Sequence, residues 1–126
     1  MSRAITSVVI IVLIIIIGIS AIFYTSHICG NISESLDMAQ TEVENNDFAS
    51  ALKHIEKADR DFEKAQKTLF VIFKHEYIDE VTEALLQLRI SLENNDRDRF
   101  FENMGYARHR IEHLTHIEIP SIENIF

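Results

Sequence analysis

His109, His113 and His116 stand at i, i+4 and i+7, with Glu112 beside them. In a helix this spacing brings three imidazoles to one face, where neutral ring nitrogens can bind a transition metal. The reading preferred for the same residues is a solvated polar face opposite Ile111 and Leu114. No Glu follows the first His as in the HExxH pattern, and no fourth ligand can be named from the chain. Asp59, Asp61 and Glu63, and again Asp79, Glu80 and Glu83, form acidic clusters. They lie among bases at helical spacing, such as Lys57 before Asp61, which is the pattern of surface ion pairs. Acid–base work by paired carboxylates needs an enclosing cleft to separate their pKa values, and nothing in the chain implies one. A glycine-rich phosphate loop, a nucleophile elbow and a Cys-His dyad are all missing. The residues thus name no catalytic group, cofactor or metal beyond the three-histidine candidate, and an enzyme is not expected. Cys29 is the single cysteine, so an intrachain disulfide is excluded and a Cys29-linked homodimer is the remaining option.

These side chains must be positioned by helices. Of 126 residues only three are Gly, one is Pro and none is Trp, too little turn chemistry for a many-stranded sheet. The net charge is −8, and of 12 basic residues only Arg3 precedes Lys53. A balance this acidic disfavours nucleic acid and a polybasic membrane patch.

Ile5 to Tyr24 is an uncharged, mainly aliphatic run, with VVIIVLIIII at Val8–Ile17. Twenty helical residues rise about 30 Å, the thickness of a bilayer's hydrocarbon, and Tyr24 falls where an interfacial aromatic belongs. Residues 1–24 are therefore expected to be a transmembrane anchor, and 25–126 an acidic helical domain. Cleavage as a signal peptide is the rival, because Gly18-Ile-Ser20 offers small residues at suitable spacing. Arg3 on the short side, with no Lys or Arg after the span until Lys53, places the N-terminus in the cytoplasm and the domain outside.

Glu44-Asn-Asn-Asp47 recurs as Glu93-Asn-Asn-Asp96, 49 positions later. At that offset Leu36 pairs with Leu85, Ala39 with Leu88, Val43 with Leu92 and Ile55 with Met104, the mark of stacked helical units. Asn tolerates the left-handed conformation that ends a helix, and Asp caps the next one, so Asp47 and Asp96 are expected helix caps. Apolar seams agree: Ile78, Val81, Leu85, Leu88, Leu92 on one helix, and Phe101, Met104, Ile111, Leu114, Ile117 on the last. The expectation is an all-α fold: one N-terminal transmembrane helix, then a four-helix, two-hairpin domain, tetratricopeptide-like or a bundle. Its hairpins cover about 31–73 and 76–118, the first helix either starting afresh or running straight on from the span. Pro120 is expected to stop the last helix and leave an apolar tail, 119–126.

Two stretches are too apolar for one helix stripe. Leu69–Phe73 is apolar all round, so Phe70 and Phe73 either plug the bundle end or meet a partner. The tail ends in Ile125-Phe126, and with Ile122 it either caps the core or docks another protein.

The Ile-rich span, Asn46-Asp47-Phe48 leading to Ala51-Leu52, the His75-Glu76 step and the Ser121-to-Phe126 ending together resemble the domain-of-unknown-function 4363 family. Members are small single-pass proteins of spore-forming, clostridial-type bacteria. Arg97 departs from the pattern, standing where an apolar residue is expected after the second Asn-Asn-Asp. The resemblance implies an anchor and a helical domain, with no activity attached. The expected role is a membrane-anchored, extracytoplasmic interaction or structural module at the cell envelope, meeting another membrane protein. The alternative is a metal- or small-ligand-binding sensor using the His109/His113/His116 face.

Overall fold

A computed structural model describes the backbone of residues 2–125 and the side chains of residues 2–115. The described chain is four helices: α1 (Ser2–Glu44), α2 (Phe48–Ile72), α3 (His75–Glu93) and α4 (Arg97–Ile125). Span and first domain helix are one unbroken α1. Its N-terminal half has apolar residues on every side, and no residue of its most apolar window is buried. From Thr25 a single face turns inward, at Thr25, Cys29, Ile32, Leu36, Ala39 and Val43. One helix thus changes from an all-round apolar surface to an amphipathic stripe, the pattern expected when its surroundings change partway along.

Successive helices pack antiparallel, and α4 closes onto α1, so the four form a ring around one core. The two-hairpin domain is therefore a closed up-and-down bundle rather than an open tetratricopeptide-like array. Ile78, Val81, Leu85, Leu88 and Leu92 all face the core, as do Ile55, Phe62, Ala65 and Leu69 from α2. On α4 the innermost aromatic is Phe100, fully buried, while Phe101 is half-buried and meets it edge-on at 5.5 Å. Phe101 was the residue the apolar spacing selected. The offset of 49 pairs Phe100 with Ala51, both fully buried, and Phe101 with Leu52, both partly buried, so burial keeps phase across the repeat. Cys29/Ile78, Ile32/Val81, Ala58/Ala107, Phe62/Ile111 and Ala65/Leu114 are likewise buried at both positions.

The α1–α2 and α3–α4 turns share one bond pattern. Asn46 N–H donates to the Val43 carbonyl (2.9 Å) and Asp47 N–H to that of Glu42 (2.8 Å); Asn95 to Leu92 (3.1 Å) and Asp96 to Ser91 (2.9 Å) repeat it. Asn46 (φ 61°) and Asn95 (φ 53°) hold the left-handed position this closure requires. Asp47 and Asp96 then accept from the Ser50 and Arg99 N–H groups, each at 3.1 Å, and start the next helix. Each three-residue junction therefore satisfies some of the orphan groups of the helix ends it joins.

Contrary to the sequence expectation, α4 continues past Pro120 to Ile125. A proline inside a helix removes one backbone bond and crowds the preceding turn, but the turns on either side keep theirs. The apolar-tail residues Ile122 and Ile125, and also His116 and Ile117, have side chains outside the described residues, and Phe126 lies outside them altogether.

Candidate functional site

The histidine face is open. His109 and His113 are exposed, their rings stacked at 6.4 Å between centroids, and His113 meets Tyr77 edge-on at 5.5 Å. Among the described residues no group of three His, Cys, Asp or Glu side chains is placed to hold a metal ion. The third imidazole, His116, lies outside them.

Three members of the acidic clusters, Asp59, Asp61 and Glu80, are held in ion pairs. Asp59 pairs with Arg89 across α2 and α3, Arg110 with Glu80 at 3.4 Å across α4 and α3, and Arg108 with Asp37 at 2.6 Å across α4 and α1. Lys57–Asp61 lies within α2 at 2.9 Å. These partly exposed pairs fix helix register more than they add stability. Asp47 is held below the usual carboxylate range, chiefly by the Ser50 backbone N–H, then by the Ser50 hydroxyl, with a smaller effect from Lys53.

Arg97 has a job that spacing alone could not show. Its Nη1 donates to the Val43 carbonyl (3.0 Å) and to Asn46 Oδ1 (2.9 Å), and its guanidinium sits 5.4 Å from the centre of the Phe101 ring. One residue of α4 thus clasps the α1–α2 turn and links the two Asn-Asn-Asp junctions. The only advance signal was its place among apolar expectations.

Cys29 corrects an expectation. It is 6% exposed, on the inward face of α1 and beside an open groove with Ser26, Gly30, Ser33, Arg108, Ile111 and Thr115. A disulfide needs the two Cα atoms within about 7 Å, and so nearly buried a side chain on the inward face of α1 offers little surface for that approach. The closed ring therefore does not support a Cys29-linked dimer.

A groove of about 210 Å³ between α3 and α4 is lined by Glu80, Glu83, Gln87, Asn103, Tyr106 and Arg110. Three of its polar side chains are already engaged: Arg110 holds Glu80, and Asn103 donates to Ser91 Oγ at 2.9 Å. A ligand there would have to displace those bonds from a site open to water.

The end of the bundle beside the apolar half of α1 is different. The last turns of α2 lie against the last turns of the aliphatic run, leaving an open groove of about 450 Å³ lined by Ile17, Ser20, Ala21, Tyr24, Lys67, Thr68, Val71 and Ile72. Leu69 and Phe73 turn into the core, so Phe73 plugs this end of the bundle. Phe70 is half-buried, its ring 4.3 Å from that of His75. Val71, which sequence reasoning did not separate from its neighbours, projects outward at 87% exposure. Lys64, Lys67 and Lys74 surround this corner, with no carboxylate between Glu63 and Glu76. The opposite end carries Glu42, Glu44, Asp47, Glu93, Asp96 and Asp98 around the two turns. Net charge averages over these two ends and hides the difference.

Fold and surface define a class: a small all-α protein, a four-helix bundle carried on a helix long and apolar enough to cross a membrane. Within it the chain belongs to the family described as Domain of unknown function (DUF4363), whose model matches residues 19–125. Neither the curated proteins nor the solved structures contain a match.

Proposed function

We propose that this is a single-pass membrane protein. The apolar half of α1 is a retained signal anchor in the bilayer, with its N-terminus in the cytoplasm. The bundle stands outside as an interaction or structural module for another membrane or envelope protein. The observation that carries this reading is the unbroken α1, whose first half is apolar on all sides and whose second half is a wall of the core. A helix shared in this way transmits the bundle's position directly to the membrane, with no hinge between them. Arg3 before the span, with no Lys or Arg following it in sequence until Lys53, favours this orientation. The matched turns and in-phase burial support two related hairpins as the building units. The grooves are open to water and enclose no cleft of the kind that paired carboxylates need for acid–base work, which supports an interaction or structural role.

The test is crosslinking in native membranes, combined with thiol labelling of a Met38→Cys, Cys29→Ala variant in intact cells. Met38 is exposed well beyond the span. Labelling by an impermeant reagent and capture of a distinct membrane protein are expected. Labelling only after lysis refutes the orientation. Recovery of the protein alone, under conditions that capture its neighbours, refutes the interaction role. A mature mass lacking the first twenty or so residues refutes the retained anchor.

A further inference from the structure

We infer that the corner between α2 and α3, from Lys67 to His75, is a second point of membrane contact, with Val71 immersed in the same leaflet that the end of the α1 span occupies. This rests on the anchor reading and adds to it a surface that hydropathy does not detect, since α2 and α3 are too polar to count as spans.

The argument is one of level. The apolar run ends near Tyr24, and Ile17 lies seven residues earlier, about 10 Å along the helix. The last turns of α2 line a common groove with Ile17, Ser20 and Ala21. Wherever the bilayer surface crosses this part of α1, the tip of α2 is beside it. If the hydrocarbon reaches Tyr24, Val71 and Ile72 are within it. A bundle held clear of the lipid would leave Ile17–Ile22 in water, where their exposed faces would lose the burial that draws the span into the membrane.

The chemistry of the corner matches that level. Val71 (87% exposed) and Phe23 (71% exposed) present most of their apolar surface outward. Lys67 and Lys74, three to four residues either side of Val71, are exposed and long enough to lay their stems on apolar surface while the ammonium groups reach phosphates. A carboxylate here would oppose that contact, and this segment has none. One exposed valine alone would mean little. Its continuity with the exposed span selects lipid as the occupant over a protein.

Site-directed spin labelling of the full chain tests this. Single cysteines replace Phe23, Val71 or Met38 in a Cys29→Ala background, in vesicles of phosphatidylcholine and phosphatidylglycerol. Collisions are measured with oxygen, which concentrates in lipid, and with a nickel chelate, which stays in water. Val71→Cys is expected to report immersion within about one helical turn, roughly 5 Å, of Phe23→Cys, with Met38→Cys in water. Thr68→Cys, also exposed in the groove, gives an independent reading if the Val71 variant incorporates poorly. Chelate-accessible labels at Val71 and Thr68, with Phe23 immersed, overturn this inference and leave the anchor standing. Labels shielded from both probes mean a second copy or another protein covers the corner, which also overturns it. A chelate-accessible Phe23 removes the anchor reading, and this one with it.

Discussion

Replacing Asn46 and Asn95 one at a time isolates the two turns that make the bundle. Both hold φ near +60°, where a β-carbon crowds the following carbonyl by about 1–2 kcal/mol. Asn reduces that penalty and Gly lacks it, whereas Ala carries it in full. Asn46→Ala and Asn95→Ala are each expected to destabilise by that part of the penalty which Asn relieves, at most about 1–2 kcal/mol. The corresponding Gly variants should fall short of wild type only by the entropy Gly adds to the unfolded chain, about 0.4–1 kcal/mol. Position 46 carries a further small loss in both variants, because Asn46 Oδ1 accepts from Arg97. The Ala-minus-Gly difference therefore reads backbone strain, and the difference between the two Gly variants reads the Arg97 clasp. Strain is local, so the double Ala variant should be additive within about 0.5 kcal/mol. For a bundle of about a hundred residues each kcal/mol moves the melting point by about 4–8 °C, measurable by circular dichroism of the full chain in detergent. If Gly is as damaging as Ala at either position, the left-handed turn is not what holds the hairpin, and the reasoning fails.

Three further outcomes follow from the same packing. Asp47 has a lowered pKa, so its stabilising contribution is present above the unfolded value near 3.9 and is lost as pH falls through the lower folded value. Asp47→Asn keeps an acceptor for Ser50 and should flatten this acid limb in urea titrations; an unchanged limb would assign it to other carboxylates. Phe100→Ala is expected to destabilise the bundle by about 3–5 kcal/mol, because the ring is fully buried. Adding Ala51→Phe, which returns volume to the matching layer, should recover part of that loss in the same melts, and no recovery would mean that the two positions do not share space.

What the sequence disclosed is what local physics encodes. The aliphatic run, the α3 seam and the Asn-Asn-Asp turns are each specified within a few residues, by composition, by period and by one backbone preference. Closure of α4 onto α1 was not legible, because an amphipathic stripe says that a face is covered without saying by what. Hence bundle and open array stayed equivalent, and burial of Cys29 could not be foreseen. Phe100 and Phe101 illustrate a finer limit: either satisfies the apolar spacing, and the offset matches them with Ala51 and Leu52, which are both apolar too. Arg97 acts across 54 positions on the Val43 carbonyl, which no local pattern records. His109 and His113 do stack along one face of α4, as their period predicts, but period cannot say what else faces them.

Cys29 turns that missing information into a measurement. It sits where α1 and α4 meet across the small residues Ser26, Gly30 and Ser33, so its exposure reports whether the ring is closed. With the ring closed, a maleimide reaches the sulfur only through opening events, whose populations span from local fraying up to global unfolding. A local opening of about 3 kcal/mol would slow labelling on the order of a hundredfold relative to an exposed thiol, and global unfolding would slow it further. Met38→Cys in a Cys29→Ala background supplies the exposed reference, from the same helix and detergent. The expected result is slow labelling of Cys29, rising to the reference rate in denaturant, with no Cys29-linked dimer on a non-reducing gel. Reference-rate labelling of the native chain would show that α4 does not seal α1. The domain would then be two hairpins side by side, and the open array that the sequence alone permitted would return as its architecture.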